Sequence, residues 1–296
     1  MPLSFRGGVL PNYFRLWLKT CETNPTVDFF VFTDDKTHYN APTNVRIINM
    51  EYGDIIRLFQ SNFDFNISIT KPYKFCDFKP AYGEIFTNYL KGYDFWGYCD
   101  IDLLWGDIRK FITEDILNSY DRIYTRGHCS IFRNNTTVNA YYRTLPNMGH
   151  QNWKDVFQSE GSFCFDEWAG HMGGGFSTIM KSNNIKMYDK ADMADLKVNS
   201  ARFSVNRRDD IPITKELYFK WNDGRITANI LDAELAEFVY VHFQKRSPVI
   251  RLDKKEIESI NLVCPNLLKD NSEPEFYRLI NYDIRKLIQI AKNRLK

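Results

Sequence analysis

Asp100 and Asp102, in the run YDFWGYCDIDLL, are two acids separated by a single residue. Alternate residues of an extended segment share a face. The two carboxylates are therefore expected to converge into a hard oxygen site for Mg2+ or Mn2+, ions that bridge the phosphates of a nucleotide and neutralise a departing diphosphate. A bare D-x-D is common and also fits a surface turn. Here it follows aromatic and apolar residues and precedes Leu103, Leu104 and Trp105, and paired acids at the mouth of a buried strand are costly without a cation. His242, inside FVYVHF, is the candidate third ligand, with Lys245 and Arg246 close behind it to meet a diphosphate. The alternative for His242 is a core histidine satisfied by a backbone carbonyl. His171, in GHMGGGFS, is the rival metal ligand.

Transfer of a group onto a hydroxyl needs a base for the hydroxyl proton. Asp166, and after it Glu167, in SFCFDEW, are the candidates; a helix start, where acids favour the dipole, would explain them equally. Lys71, Lys74, Asp77 and Lys79 crowd TKPYKFCDFKPAYG, just upstream of the paired acids. A solvated basic face is the ordinary account of them; the functional one puts a lysine on a phosphate and an aspartate on a ribose or sugar hydroxyl. Asp34 and Asp35, after the apolar run TVDFFVFT, suit base or ribose contacts or a simple turn. His128 and Arg133, in GHCSIFRNN, would border an acceptor pocket or close a buried strand.

The elements that must carry these residues follow from periodicity. Pro11 to Cys21 reads as an amphipathic helix, and Thr26 to Thr33 and Asn44 to Asn49 as strands. Ile69 to Leu90 is mostly helical, interrupted near Lys79 and Pro80, and Tyr93 to Leu103 is a strand running into the acids. Asp107 to Leu117 is expected to be helical, and Arg122 to Thr125, Cys129 to Arg133 and Phe238 to Phe243 to be strands. Gly170 to Ser177 is a glycine-rich loop suited either to closing over a ligand or to a plain turn. Glu275 to Lys296 spaces its apolar residues helically against arginines and lysines. Such alternation indicates an α/β fold with ligands beyond the carboxyl ends of the strands. Residues 1–250 would form one domain and 251–296 a C-terminal helical extension. Met1 to Gly8 lacks a convincing apolar strand where a nucleotide-binding domain ordinarily begins with one.

The 296 residues are 44% hydrophobic and 26% charged, enough for a substantial core. The net charge of +2, with no massed basic stretch in the middle of the chain, gives no reason to expect a nucleic acid partner. The six cysteines form no CxxC pair, which disfavours a zinc ribbon or a dithiol redox motif. No signal peptide opens the chain and no apolar run approaches the ~18 residues of a spanning helix. A cytoplasmic protein is expected, and the basic C-terminal helix would allow peripheral docking at the inner face of the plasma membrane.

Taken in order, KPYKFCDFKPAYGEIF, YDFWGYCDIDLLWGDI, GHCSIFRNN, FDEW and YVHFQKR resemble a bacterial family of GT-A-type glycosyltransferases encoded with capsule and O-antigen genes and long catalogued as a domain of unknown function. The resemblance covers roughly residues 10 to 250 and lies in the joint order of the motifs. It implies a GT-A fold with a Rossmann-like mixed central sheet and an inverting transferase. The donor would be a uridine-diphosphate sugar, and within the group UDP-galactofuranose. The acceptor would be a glycan or lipid-linked saccharide of surface polysaccharide synthesis. By the same resemblance Asp100 and Asp102 match the family's D-x-D, His242 the late histidine completing the metal site, and Asp166 the acceptor-activating acid. The departure is at Met1 to Gly8, where such proteins carry a strand ending in a Pro-Tyr-Phe-Gly-like turn, and it bears on the base-binding edge of the nucleotide pocket. The alternatives are a retaining GT-A transferase, a metal-dependent nucleotidyltransferase and a non-catalytic carbohydrate-binding protein.

Overall fold

A computed structural model describes residues 1–5, 7, 9–144, 150–197, 202–231, 233–244, 249–251, 259–263 and 267–269. Lys245, Arg246 and the basic segment 275–296 lie outside the described residues. The fold is of the mixed α/β class. The single domain expected over residues 1–250 is built as two compact units: Met1–Pro11, Asp28–Ile101 and Ile112–Lys190 make the first, and Asn12–Val27, Asp102–Phe111 and the chain from Ala191 onward make the second.

In the first unit Phe29–Thr33 is buried at all five positions because it is the middle strand of a parallel three-stranded sheet, covered on both faces. Its neighbours are Val45–Asn49, in register Phe29 to Val45, and Leu3–Ser4, in register Leu3 to Phe32. The N-terminal segment that looked too short of apolar residues for a strand thus supplies one after all. Two residues suffice because the middle strand already buries the apolar surface.

A second sheet of this unit orders Phe95–Cys99, Cys129–Arg133, Arg122–Arg126 and Met187–Tyr188, with the first three antiparallel and the last parallel. Between the two sheets in sequence, residues 72–85 form a chain of single turns: Pro72–Lys74, Phe75–Phe78, Lys79–Ala81 and Tyr82–Ile85. Pro72 and Pro80 each sit at the start of a turn, where a missing N–H costs least. Each restart turns Lys74, Asp77 and Lys79 inward. The core is aromatic, with Phe59, Phe78, Phe86 and Phe157 fully buried and the Phe78 and Phe157 rings stacked 4.0 Å apart. Each such ring stabilises the unit by roughly 1.5–3 kcal/mol.

In the second unit the Phe14–Glu22 helix buries Leu16 and Trp17. Ala233–Phe238, Arg225–Ile230, Leu217–Asn222, Ser259–Val263, Leu267–Lys269 and Val249–Arg251 follow one another across a six-stranded sheet. The two strands at 259–263 and 267–269 fall in the stretch expected to be a helical extension. A smaller sheet places Tyr240–His242 between Leu103–Trp105 and Ala194–Asp195. Gly106 lies where a Cβ would come within 2.5 Å of the Phe238 carbonyl, so the backbone approach needs a glycine.

Three expected elements are divided. The Tyr93–Leu103 strand ends at Cys99, bends through residues 100–102 and restarts as Leu103–Trp105, because its halves pair into different sheets. Phe238–Phe243 splits at Val239, whose N–H turns to the Asp192 carbonyl. The helix expected over 107–117 becomes Ile108–Phe111 and Glu114–Ser119. Among the described residues no helix is long and apolar enough to cross a membrane.

Candidate active site

Asp100 closes the Phe95–Cys99 strand, where its N–H donates to the His128 carbonyl at 2.8 Å. It does not share a strand face with Asp102, as the period-two reading required. The chain bends between them, and Ile101, itself buried, is the last residue of the first unit. Only one residue separates the two acids, so the covalent chain alone keeps them close.

On the first-unit side, the buried Lys79 ammonium donates to Asp100 Oδ1 at 2.8 Å and to the Gly127 carbonyl at 2.5 Å, and stands 3.5 Å from Asp166 Oδ2. It also lies 5.2 Å from the centre of the Tyr98 ring. Burial opposes its charge, but Asp100 and Asp166 outweigh it and hold the ammonium well above the usual lysine range. Asp166 is 3% exposed. Burial pushes its carboxyl up to about 7, against the pull of Lys79 and with the help of Glu167, Asp100 and Asp77. A carboxylate of that strength is matched to accepting a proton near neutral pH. Glu167 is exposed, with its carboxylate packed over Gly127, where a Cβ would meet it at 2.1 Å.

Asp77 has a different task from the sugar or ribose contact expected of it. It is 1% exposed and accepts from Lys74 Nζ at 2.9 Å and from the Phe163 and Phe165 amides at 3.1 Å. Lys74, fully buried, spends its other protons on the Val156 and Gly161 carbonyls. The pair pins the segment that carries Asp166. Asp35 is likewise structural. Burial opposes its charge, yet Thr37, the Tyr39 hydroxyl and the Leu10 amide hold its carboxyl down at about 2. Its side chain faces those groups and is 1% exposed at the residue level, so it is not available to a nucleotide.

Asp34, by contrast, opens onto a cavity of about 340 Å3 beyond the carboxyl ends of Phe29–Thr33 and Val45–Asn49, lined also by Lys36, Asn49, Met50, Glu51 and Asp54. Among the described residues its buried Oδ1 has no hydrogen-bond partner. Parallel strands favour ligands at that edge. Lys71 is exposed at the start of the 72–74 turn. Arg133 is taken up by Asp121 and by the Leu117 and Tyr120 carbonyls, which removes it from an acceptor pocket.

On the second-unit side, the smaller sheet presents His242 from its central strand. Nδ1 is 2.9 Å from Asp195 Oδ1, and Nε2 is 3.5 Å from Asp102 Oδ1. Asp195 also accepts from Gln244 Nε2 at 2.9 Å and Asn206 Nδ2 at 2.6 Å. A carboxylate only accepts, so the Nδ1 hydrogen points to Asp195 and Nε2 is the ring atom that faces Asp102. Two electron-rich atoms that close are satisfied by a shared proton or by a cation between them. A histidine oriented by a carboxylate behind it is the usual second layer of a metal site. The sequence offered no sign of Asp195: it sits in a two-residue strand whose partner is distant in the chain. His171 is exposed in the turn Gly170–Met172, and among the described residues it joins no group of acids, cysteines or histidines able to hold a metal.

Tyr73 is a second residue that periodicity did not single out. It is 55% exposed. Partial burial pushes its hydroxyl up to about 12, with the nearby charges of Asp166 and Glu167 adding to the effect.

Residues 5–271 match the model of a family of unknown function (DUF6625), and the chain belongs to that family. A search of curated proteins returns no match.

Proposed function

We propose that this DUF6625 family member is an inverting glycosyltransferase that uses a divalent cation, Mn2+ or Mg2+, and a uridine-diphosphate sugar. By the resemblance of its motifs the donor is UDP-galactofuranose, the acceptor a glycan or lipid-linked saccharide, and the architecture GT-A-like. The observation that carries the reading is His242, held by Asp195 with Nε2 directed at Asp102.

Asp100, Asp102 and His242 would hold the cation, a set of two carboxylates and one imidazole that suits Mn2+ better than an all-oxygen set would. When bound, the ion would neutralise charge on the leaving diphosphate. Asp34 would meet the nucleoside at the carboxyl edge of the parallel sheet. Lys79 pairs with Asp100 and stands beside Asp166, offsetting part of the burial that raises the Asp166 carboxyl. Asp166 takes the proton of the acceptor hydroxyl while that oxygen bonds to the anomeric carbon, and the bond to the nucleoside diphosphate breaks with its electron pair on phosphate oxygen. Tyr73, exposed beside the acids, offers a ring on which the acceptor sugar would stack. Docking at the inner membrane face, through residues 275–296, completes the proposal for a lipid-linked acceptor.

The test is release of UDP from a panel of UDP-sugars with and without Mn2+. Release that requires the metal and falls to background in Asp102→Ala supports the reading. Release of pyrophosphate, or metal-independent release unaffected by Asp102→Ala, overturns it.

A further inference from the structure

Arg122 opens a central strand of the four-stranded sheet, and its side chain is fully buried. Among the described residues no carboxylate forms an ion pair with it. Nη1 donates to Ser177 Oγ at 2.9 Å, and Nη2 to Ser130 Oγ at 3.1 Å and to the backbone carbonyl of Asp166 at 3.2 Å. The Tyr98 hydroxyl donates to the same carbonyl at 3.3 Å. The guanidinium lies 5.1 Å from the centres of both the Phe132 and Phe176 rings, and among the described residues its Nε has no acceptor.

A buried cation without an anion is costly, and an apolar side chain of similar size packs the same space more cheaply. What the apolar side chain lacks is a donor for the Asp166 carbonyl. The segment that ends there needs holding, because Cys164 has φ 51, a left-handed conformation unfavourable for a residue with a Cβ. Asp77 already grips the Phe163 and Phe165 amides from one side. Arg122 and Tyr98 grip the next carbonyl from the other.

We infer that Arg122 is a positioning residue: its buried guanidinium, together with the Tyr98 hydroxyl, fixes the backbone of Asp166 so that the carboxylate is held for proton transfer. The inference rests on the proposed role of Asp166. Arg122, fully buried, has no surface to offer a substrate.

The experiment compares Arg122→Met, Arg122→Lys, Tyr98→Phe, Ser177→Ala and Asp166→Asn in the full chain, with Mn2+ and the active UDP-sugar. Kinetics are paired with hydrogen exchange of the peptide spanning residues 160–170. Arg122→Met is expected to lose about tenfold or more in kcat with the donor KM within about twofold, and its 160–170 amides to exchange about tenfold faster. Arg122→Lys should recover part of both, and Tyr98→Phe should show a smaller change of the same kind. Ser177→Ala removes one anchor of the guanidinium but keeps its contact with the Asp166 carbonyl, and should lower kcat less than Arg122→Met does. Should Arg122→Met not fold, Arg122→Lys and Tyr98→Phe carry the test. Wild-type kcat and wild-type exchange in whichever of these fold overturn the inference while leaving the role of Asp166 intact. Wild-type turnover in Asp166→Asn would instead overturn the reading beneath it.

Discussion

Replacing Asp77 by alanine removes the acceptor of three donors at once: the Lys74 ammonium and the amides of Phe163 and Phe165. Lys74 keeps two carbonyls but loses the ion-pair partner it has among the described residues, at a site with no solvent exposure. Breaking one half of a buried pair costs about 3–5 kcal/mol, and the orphaned amides add to that cost without being fully independent of it. Taking about 4 kcal/mol, and ~2–4 °C per kcal/mol for a chain of this size class, the melting temperature should fall by roughly 8–16 °C. Asp77→Asn keeps an acceptor for an amide and should lose about half as much. Lys74→Met with Asp77→Leu removes both charges and should recover much of the loss, since an apolar pair can replace an ionic one. The assay is thermal melting by circular dichroism. A shift below about 2 °C in Asp77→Ala, accompanied by a raised donor KM, would refute the structural role and return Asp77 to the substrate.

Further outcomes follow from the charges around Asp166. Its carboxyl, near 7, must be ionised to accept a proton, so kcat/KM should rise through about pH 7 to a plateau, as read from a pH–rate profile. Because this folded pKa lies above that of an unfolded aspartate, its stabilising contribution is full only below about 3.9 and is lost as pH rises through about 7. Asp166→Asn should therefore gain in melting temperature over the wild type progressively from pH 5 to pH 8; a constant difference would contradict the raised pKa. Lys79→Met removes the cation that favours ionised Asp166 and should move the acid limb of the pH–rate profile to higher pH, with an unmoved limb excluding that coupling. Asp195→Ala leaves His242 without its orienting carboxylate and should weaken Mn2+ binding by about 10–100-fold in a calorimetric titration; undiminished affinity would show that Asp195 does not support the ligand.

Much of the candidate site is built from residues that local pattern singles out, because they flank strong strands. Asp100 and Asp166 follow aromatic runs whose burial is unmistakable, and Lys79 sits beside a proline that marks a turn. Pattern failed where two neighbouring stretches belong to different sheets. Nothing in YDFWGYCDIDLL distinguishes one strand from two, since the break at residues 100–102 is set by pairing with Cys129–Arg133 on one side and Tyr240–His242 on the other. Asp77 and Asp35 looked like ligand contacts because an acid beside a lysine or a turn is ambiguous until its acceptor partners are known. Asp195 and Arg122 were invisible for the same reason: their partners, His242 and the Asp166 carbonyl, are 47 and 44 residues away.

The most direct test of the proposed metal centre is electron paramagnetic resonance titration of Mn2+ into the full chain, its Asp102→Ala variant and its His242→Ala variant. One bound Mn2+ per wild-type chain, lost or weakened at least about tenfold in both variants, is the expected result. Mn2+ binding of wild-type strength in both variants would contradict it.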